Sequence, residues 1–193
     1  MKLGDKVAVF AQGAVGVCAA IGARLRGASM VIGIDGDDSR LRFARKMGVD
    51  VVLDYRKLDV VSEIGRITGG VDVAIEALGE PQTFESALHV LRPGGTLSSI
   101  GVYSNRLSNI GVYSNKLSIP YEAFGAGIAG LKIVTTLCPG GKERMERLMA
   151  MVRSGRLDLR PFITHRFSLS NIQEAYYLSG NRLESVMKIA IRP

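Results

Sequence analysis

The chain has 193 residues, 25 Lys and Arg against 18 Asp and Glu for a net charge of +7, with 47% hydrophobic and 6% aromatic residues. That length and apolar content suit one generous domain, or one domain with an appendage. No apolar run reaches the roughly 18 residues of a membrane helix, no signal-peptide pattern opens the chain, and the dispersed basic residues carry no RNA-module signature, so the expectation is a cytoplasmic protein that binds neither membrane nor nucleic acid.

Residues 7–11 form an apolar run that predicts a strand, followed by a helix over 14–27. Between them lies Ala11-Gln12-Gly13-Ala14-Val15-Gly16, an AxGxxG version of the GxGxxG turn. Strand, glycine-rich turn and helix together aim backbone N–H groups at an anion such as a pyrophosphate. Residues 30–35 predict a second strand that ends on Asp35, nineteen residues after Gly16. A carboxylate there can accept from both hydroxyls of an adenosine ribose and repels a 2′-phosphate, and Asp37 adds a second carboxylate, so the spacing points to NAD rather than NADP. Helix 38–47 carries Arg40, Arg42, Arg45 and Lys46. Arg40 is a candidate to flank the adenine, with a solvated side chain as the equal alternative. The rest are read as a solvated surface.

A strand over 51–54, a helix over 58–67, a strand over 71–77, a helix over 82–91 and a strand over 95–102 continue the alternation. With a short helix near 120–130 and a sixth strand over 131–137, this predicts an α/β fold: right-handed crossovers in a doubly wound, six-stranded parallel sheet. Ala77, Leu78 and Gly79 end the fourth strand, and Ile100, Gly101 and Val102 end the fifth, so both triplets would open into the crevice at the carboxyl edge. An amphipathic helix over 141–154 precedes a strand over 161–167, a helix over 170–178 capped by Ser170, and a last strand over 185–191. These last two strands have no evident place in the six-stranded sheet.

One internal repeat stands out. Ile100-Gly101-Val102-Tyr103-Ser104-Asn105-Arg106-Leu107-Ser108 recurs ten residues later from Ile110 to Ser118, with Lys116 in place of Arg106. The even period lets either copy complete the fifth strand with the same face inward, leaving the other as a loop within 99–118. A tolerated surface insertion is the plainer account of it.

Candidate chemistry is sparse. Cys18 and Cys138 match no disulfide or metal spacing, and Cys18 is expected to be a small buried thiol. His89 and His165 are expected to be structural, and no nucleophile motif occurs. Tyr103 and Tyr113 have a basic residue three positions on, not a lysine four positions on, so no tyrosine–lysine dehydrogenase pair is present. No catalytic and no metal-binding residue is assigned.

Several stretches together resemble the medium-chain, zinc-dependent alcohol dehydrogenases: Gly4-Asp5-Lys6-Val7-Ala8-Val9, Gln12-Gly13-Ala14-Val15-Gly16, Asp72-Val73-Ala74-Ile75-Glu76-Ala77-Leu78-Gly79, Leu91-Arg92-Pro93-Gly94-Gly95-Thr96, Leu137-Cys138-Pro139-Gly140-Gly141 and Val186-Met187-Lys188-Ile189-Ala190. The resemblance implies the family's C-terminal NAD-binding Rossmann domain over residues 1–157. It further implies that 158–193 pack on the family's catalytic domain, which precedes this region and holds the zinc. By the same resemblance Lys188 would reach the pyrophosphate, and residues 132–137 would pair two chains into a homodimer. The expected function is the NAD(H)-binding portion of an enzyme converting alcohol and NAD⁺ to aldehyde or ketone and NADH, completed by a zinc-bearing segment or a separate zinc-domain polypeptide. A non-catalytic NAD-binding sensor or assembly module is the alternative.

Overall fold

The computed structural model describes residues 1–103, 117–136, 138 and 140–193, and within these the chain forms two compact units, 1–137 and 138–193. The division falls twenty residues before the boundary expected at 157, so the long helix after residue 141 groups with the tail.

In the first unit, β1 (Lys6–Phe10), β2 (Met30–Asp35), β3 (Val51–Asp54) and β4 (Val71–Glu76) are short runs rich in Val and Ile. Val7, Ala8, Val9, Val31, Ile32 and Ala74 are wholly buried, as a parallel sheet covered on both faces requires. β5 (Leu91–Ser99) and β6 (Lys132–Thr135) complete a parallel sheet in the order β3-β2-β1-β4-β5-β6. Register sets Val7 opposite Val31 on one side and Val73 on the other. The crossovers are α1 (Ala14–Leu25), α2 (Asp38–Lys46), α3 (Val60–Thr68) and α4 (Pro81–His89), with a short α5 (Tyr121–Phe124) before β6. Phe10, Ile32, Leu53, Ile64, Phe84, Leu88 and Leu97 build a core between the sheet and its helices. The six-stranded doubly wound sheet is the expected one.

The fifth strand differs from its expected bounds. It begins at Leu91, and pairing with β4 shifts between Val71↔Leu91 and Val73↔Thr96. Pro93 has no N–H to give, and Gly94 turns to φ +78° while its amide bonds to the Ala129 carbonyl, so the strand bulges there. It ends at Ser99, and the described residues of the first repeat copy, 100–103, do not extend it. The reason is local: the Glu76 carbonyl takes the regular ladder bond from the Ile100 amide at 2.8 Å, but the Gly101 amide also turns back to it, at 3.0 Å, and the chain leaves the strand there. Residues 104–116, which hold the rest of the first copy and most of the second, lie outside the described residues.

In the second unit, α6 (Lys142–Arg153) buries none of its residues. β7 (Ile163–Ser168) and β8 (Lys188–Arg192) pair with each other in parallel across α7 (Ile172–Gly180). The terminal strands are therefore partners of one another rather than unpaired, a small right-sized βαβ unit with Phe162, Ala175 and Leu178 buried. Ser170 does not cap α7; its hydroxyl bonds to Ser168 and Asn171, and the helix opens from Asn171 without a side-chain cap. Among the described residues no helix is long and apolar enough to cross a membrane.

Candidate functional site at the carboxyl edge of the sheet

The strand order reverses between β1 and β4, which is where an open α/β sheet splays its loops apart and leaves a crevice. β1 and β4 stay joined to their last residues, with the Ala77 amide donating to the Phe10 carbonyl at 3.1 Å. Beyond Phe10 the chain turns through Ala11, whose φ of +72° lies in the left-handed region that the motif's usual glycine would occupy without strain. α1 then starts at Ala14. Its N-cap is Gly13, with no side-chain cap and no acidic residue in the first turn. Helix geometry leaves the amides of Ala14, Val15 and Gly16 without intrahelical acceptors. A Cβ on Gly13 would meet nothing within 4 Å, so that side of the turn is open, whereas one on Gly16 would lie 1.8 Å from the Ala11 carbonyl oxygen. Gly16 thus lets the helix seat against the turn, and Gly13 leaves room for a ligand to approach the backbone. The donor set and the open space fit an anionic group such as a pyrophosphate.

Asp35 ends β2 and is buried. Its carboxylate accepts from the Gln12 amide at 2.7 Å and from the amides of Gly36 and Asp37 at 2.8 and 2.9 Å, and Arg40 stands 3.9 Å away. Four lone-pair positions are available to a carboxylate, so an acceptor site remains beside the turn. The Gln12 amide is spent on Asp35 and is not among those α1 leaves open. Its side chain turns inward, donating to the Val9 carbonyl, and a Cβ on Gly33 would come within 2.8 Å of its carboxamide carbon. Gln12 Oε1 is buried and finds no partner among the described residues. Gln12 therefore links the turn to Asp35 and β2. Asp37 is the N-cap of α2, accepting from the amides of Ser39 and Arg40, and the Ser39 hydroxyl holds its carboxyl below the usual range. The Tyr55 ring lies over Gly36, where a Cβ would sit 2.6 Å from it.

Across the crevice, Glu76 closes β4. In the sequence it is a lone acid at the end of an apolar strand, with no local pattern that marks a role. Its Oε1 accepts from the amides of Leu78 and Gly79 at 2.8 and 2.7 Å and from the Thr83 hydroxyl at 2.9 Å. Its Oε2 accepts from the Tyr103 hydroxyl at 2.9 Å. Burial, with the Glu76 charge adding to it, pushes the Tyr103 phenol up to about 12, and the Ser99 hydroxyl partly opposes this. Ala77–Gly79 and Ile100–Val102 are brought together here as the two loop ends. Leu78 and Val102 are exposed, and the backbones of Gly79 and Gly101 touch.

Lys188 opens β8 in the second unit, where it lines an open pocket with Ile172, Tyr176 and Met187. Cys18 is exposed rather than buried, because it falls on the outer side of α1 while Val17, Ala20 and Ile21 face the core. His165 lies 3.5 Å from Glu184. Among the described residues no group of three His, Cys, Asp or Glu side chains converges as a metal site, so these residues do not fit a catalytic zinc.

The fold and crevice define a doubly wound nucleotide-binding type of domain. Residues 14–154 match the model of the zinc-binding dehydrogenases, and the chain belongs to that family. It is 54% identical over 195 aligned positions to an alcohol dehydrogenase of Cupriavidus necator, covering all of this chain and 50% of that protein. It is 31% identical to an NADP-dependent isopropanol dehydrogenase of Clostridium beijerinckii, over 99% of this chain and 53% of that one. Among solved structures, an alcohol dehydrogenase from Thermus sp. ATN1 superposes with a TM-score of 0.82 at 27% identity, over 99% of this chain and 52% of that one. The chain thus spans about half the length of the curated relatives it matches.

Proposed function

We propose that this chain is the coenzyme-binding portion of an NAD-dependent alcohol dehydrogenase, in which an alcohol is oxidised to an aldehyde or ketone as NAD⁺ becomes NADH. The observation that carries this reading is the bare start of α1: three open amides and a side-chain-free Gly13 beside a buried acid at the end of β2. The pyrophosphate lies against Ala14, Val15 and Gly16, and Asp35 takes the adenosine ribose. What these residues supply is binding and orientation of the coenzyme. Asp35 and Asp37 put two carboxylates on the rim that a 2′-phosphate would meet, which favours NAD over NADP. This sets the chain apart from the relative named for NADP. The exposed β6 edge, with Ile133 and Val134 about half exposed, supports a homodimer formed through this strand.

Calorimetric titration with NADH and NADPH tests the reading. The expected result is NADH binding in the micromolar to low-millimolar range, weakened about tenfold or more by Asp35→Ala with a narrower gap between the two coenzymes. Failure to bind any dinucleotide overturns it.

A further inference from the structure

Glu76 is wholly buried, and its two oxygens meet donors from four segments: the amides of Leu78 and Gly79, the Thr83 hydroxyl on α4, the Ser99 hydroxyl at the end of β5 and the Tyr103 hydroxyl beyond it. A carboxylate removed from water is costly unless its acceptors are all used. An apolar side chain of similar volume would fill the end of β4 without that cost. What such a side chain cannot do is fix the backbone path of two loops at once. Here the carboxylate holds the 77–79 turn, the phenol ties residue 103 to the same point, and the Glu76 carbonyl accepts from Ile100 and Gly101. The two loops then meet backbone to backbone. A Cβ on Gly101 would lie 2.2 Å from the Gly79 nitrogen, and one on Gly79 2.3 Å from the Val102 carbonyl oxygen. This joined wall stands over the β4–β5 half of the sheet. A dinucleotide whose adenosine is held at Asp35 lays its second mononucleotide over that half.

We propose that Glu76 and Tyr103 are positioning residues for the nicotinamide mononucleotide half of the coenzyme, clamping the loops 77–79 and 100–103 into one preformed wall. The inference rests on the dinucleotide reading above and adds which residues shape its second half. It separates the two halves of the ligand: the adenosine side depends on Asp35 and the head of α1, and the nicotinamide side depends on the Glu76–Tyr103 clamp.

ADP-ribose and NADH, titrated calorimetrically against the full chain and its Tyr103→Phe variant, distinguish the halves. Phenylalanine keeps the edge-to-face contact with Phe84, whose ring centroid is 6.4 Å away, and deletes only the hydroxyl. The expected result is NADH affinity reduced about tenfold with ADP-ribose affinity unchanged. Glu76→Gln, which keeps the shape but replaces an acceptor with a donor facing the phenol, should lose at least as much NADH affinity. Equal loss of both ligands would mean that the pair only holds the fold together, and NADH binding as tight as wild type in Tyr103→Phe would mean that the clamp does not shape the site; either overturns the proposal. A wild-type chain that binds ADP-ribose as tightly as NADH also overturns it while leaving the dinucleotide reading standing. A wild-type chain that binds neither ligand removes both.

Discussion

The helices that follow the first three strands begin in two different ways. α2 and α3 open on aspartates: Asp37 accepts from the amides of Ser39 and Arg40, and Asp59 from that of Ser62. α1 opens on Gly13, with no side-chain cap and no acid in its first turn. An aspartate cap satisfies orphan amides and favours the positive end of the helix dipole, typically by about 1 kcal/mol over alanine. The start of α1, capped by a glycine, forgoes a few tenths of a kcal/mol of that, and it lies at the switch point of the sheet. The contrast teaches that two of these helix heads are finished by the chain itself, while the head of α1 is left open, as the proposed coenzyme pyrophosphate would require.

The largest expected effect comes from giving α1 the cap its neighbours have. Gly13 has φ −70° and ψ −176°, an extended conformation open to any residue, and a Cβ there meets nothing within 4 Å. Gly13→Asp should therefore fold as well as wild type or slightly better, by a few tenths of a kcal/mol. Its carboxylate would stand where the pyrophosphate is expected, and NADH affinity should fall about a hundredfold because like charges in one site cost several kcal/mol. Thermal melting and calorimetry on the same preparation check both halves. Unchanged NADH affinity in this variant would break the comparison.

The reverse change belongs at α2. Asp37→Ala should destabilise the fold by about 1 kcal/mol at neutral pH. Hydrogen bonding to Ser39 lowers the Asp37 pKa in the folded chain below its ordinary 3.8. The cap's contribution is therefore fully present above that ordinary value and is lost as pH falls through the lower folded value. Urea melts at neutral pH and at a series of values below 3.8 check it: the gap between wild type and variant should narrow steadily as the pH falls. A gap that persists there would mean that the residue stabilises by something other than its charge.

These helix heads also show what the sequence makes legible. Strand, turn and helix around Gly13 and Gly16 follow from short-range pattern, as does Asp35 at the end of the next strand, because a parallel sheet repeats the same local unit. The Glu76–Tyr103 contact spans 27 positions, and nothing in the local pattern marks a buried acid as the meeting point of two loops. The bounds of β5 were hidden for a related reason. The ten-residue repeat suggested that a copy would extend the strand, but the Gly101 amide turns back to the Glu76 carbonyl that Ile100 already uses, and the strand ends. The parallel pairing of β7 and β8 has no local signature, because neither strand fits the large sheet and only α7, as a crossover, lets them pair with each other.

The smallest expected effect lies in the turn that feeds α1. Ala11 stands at φ +72°, and the left-handed region costs a residue with a Cβ roughly 1–2 kcal/mol. Glycine adopts it without that cost but gives up more freedom on folding, about 0.5–1 kcal/mol. The two terms oppose, and the strain is the larger, so Ala11→Gly should stabilise the chain by about 0.5 kcal/mol, or one to two degrees in Tm for a chain of this size. The entry to α2 offers the matched control, because Asp37 has φ −104° and stores no such strain. A glycine at position 37 should therefore bring no relief of its own. Its few-tenths loss of capping should move the melting point the other way. A destabilised Ala11→Gly would mean that the turn before α1 is not held in the left-handed region, and that its alanine is as relaxed as the cap of α2.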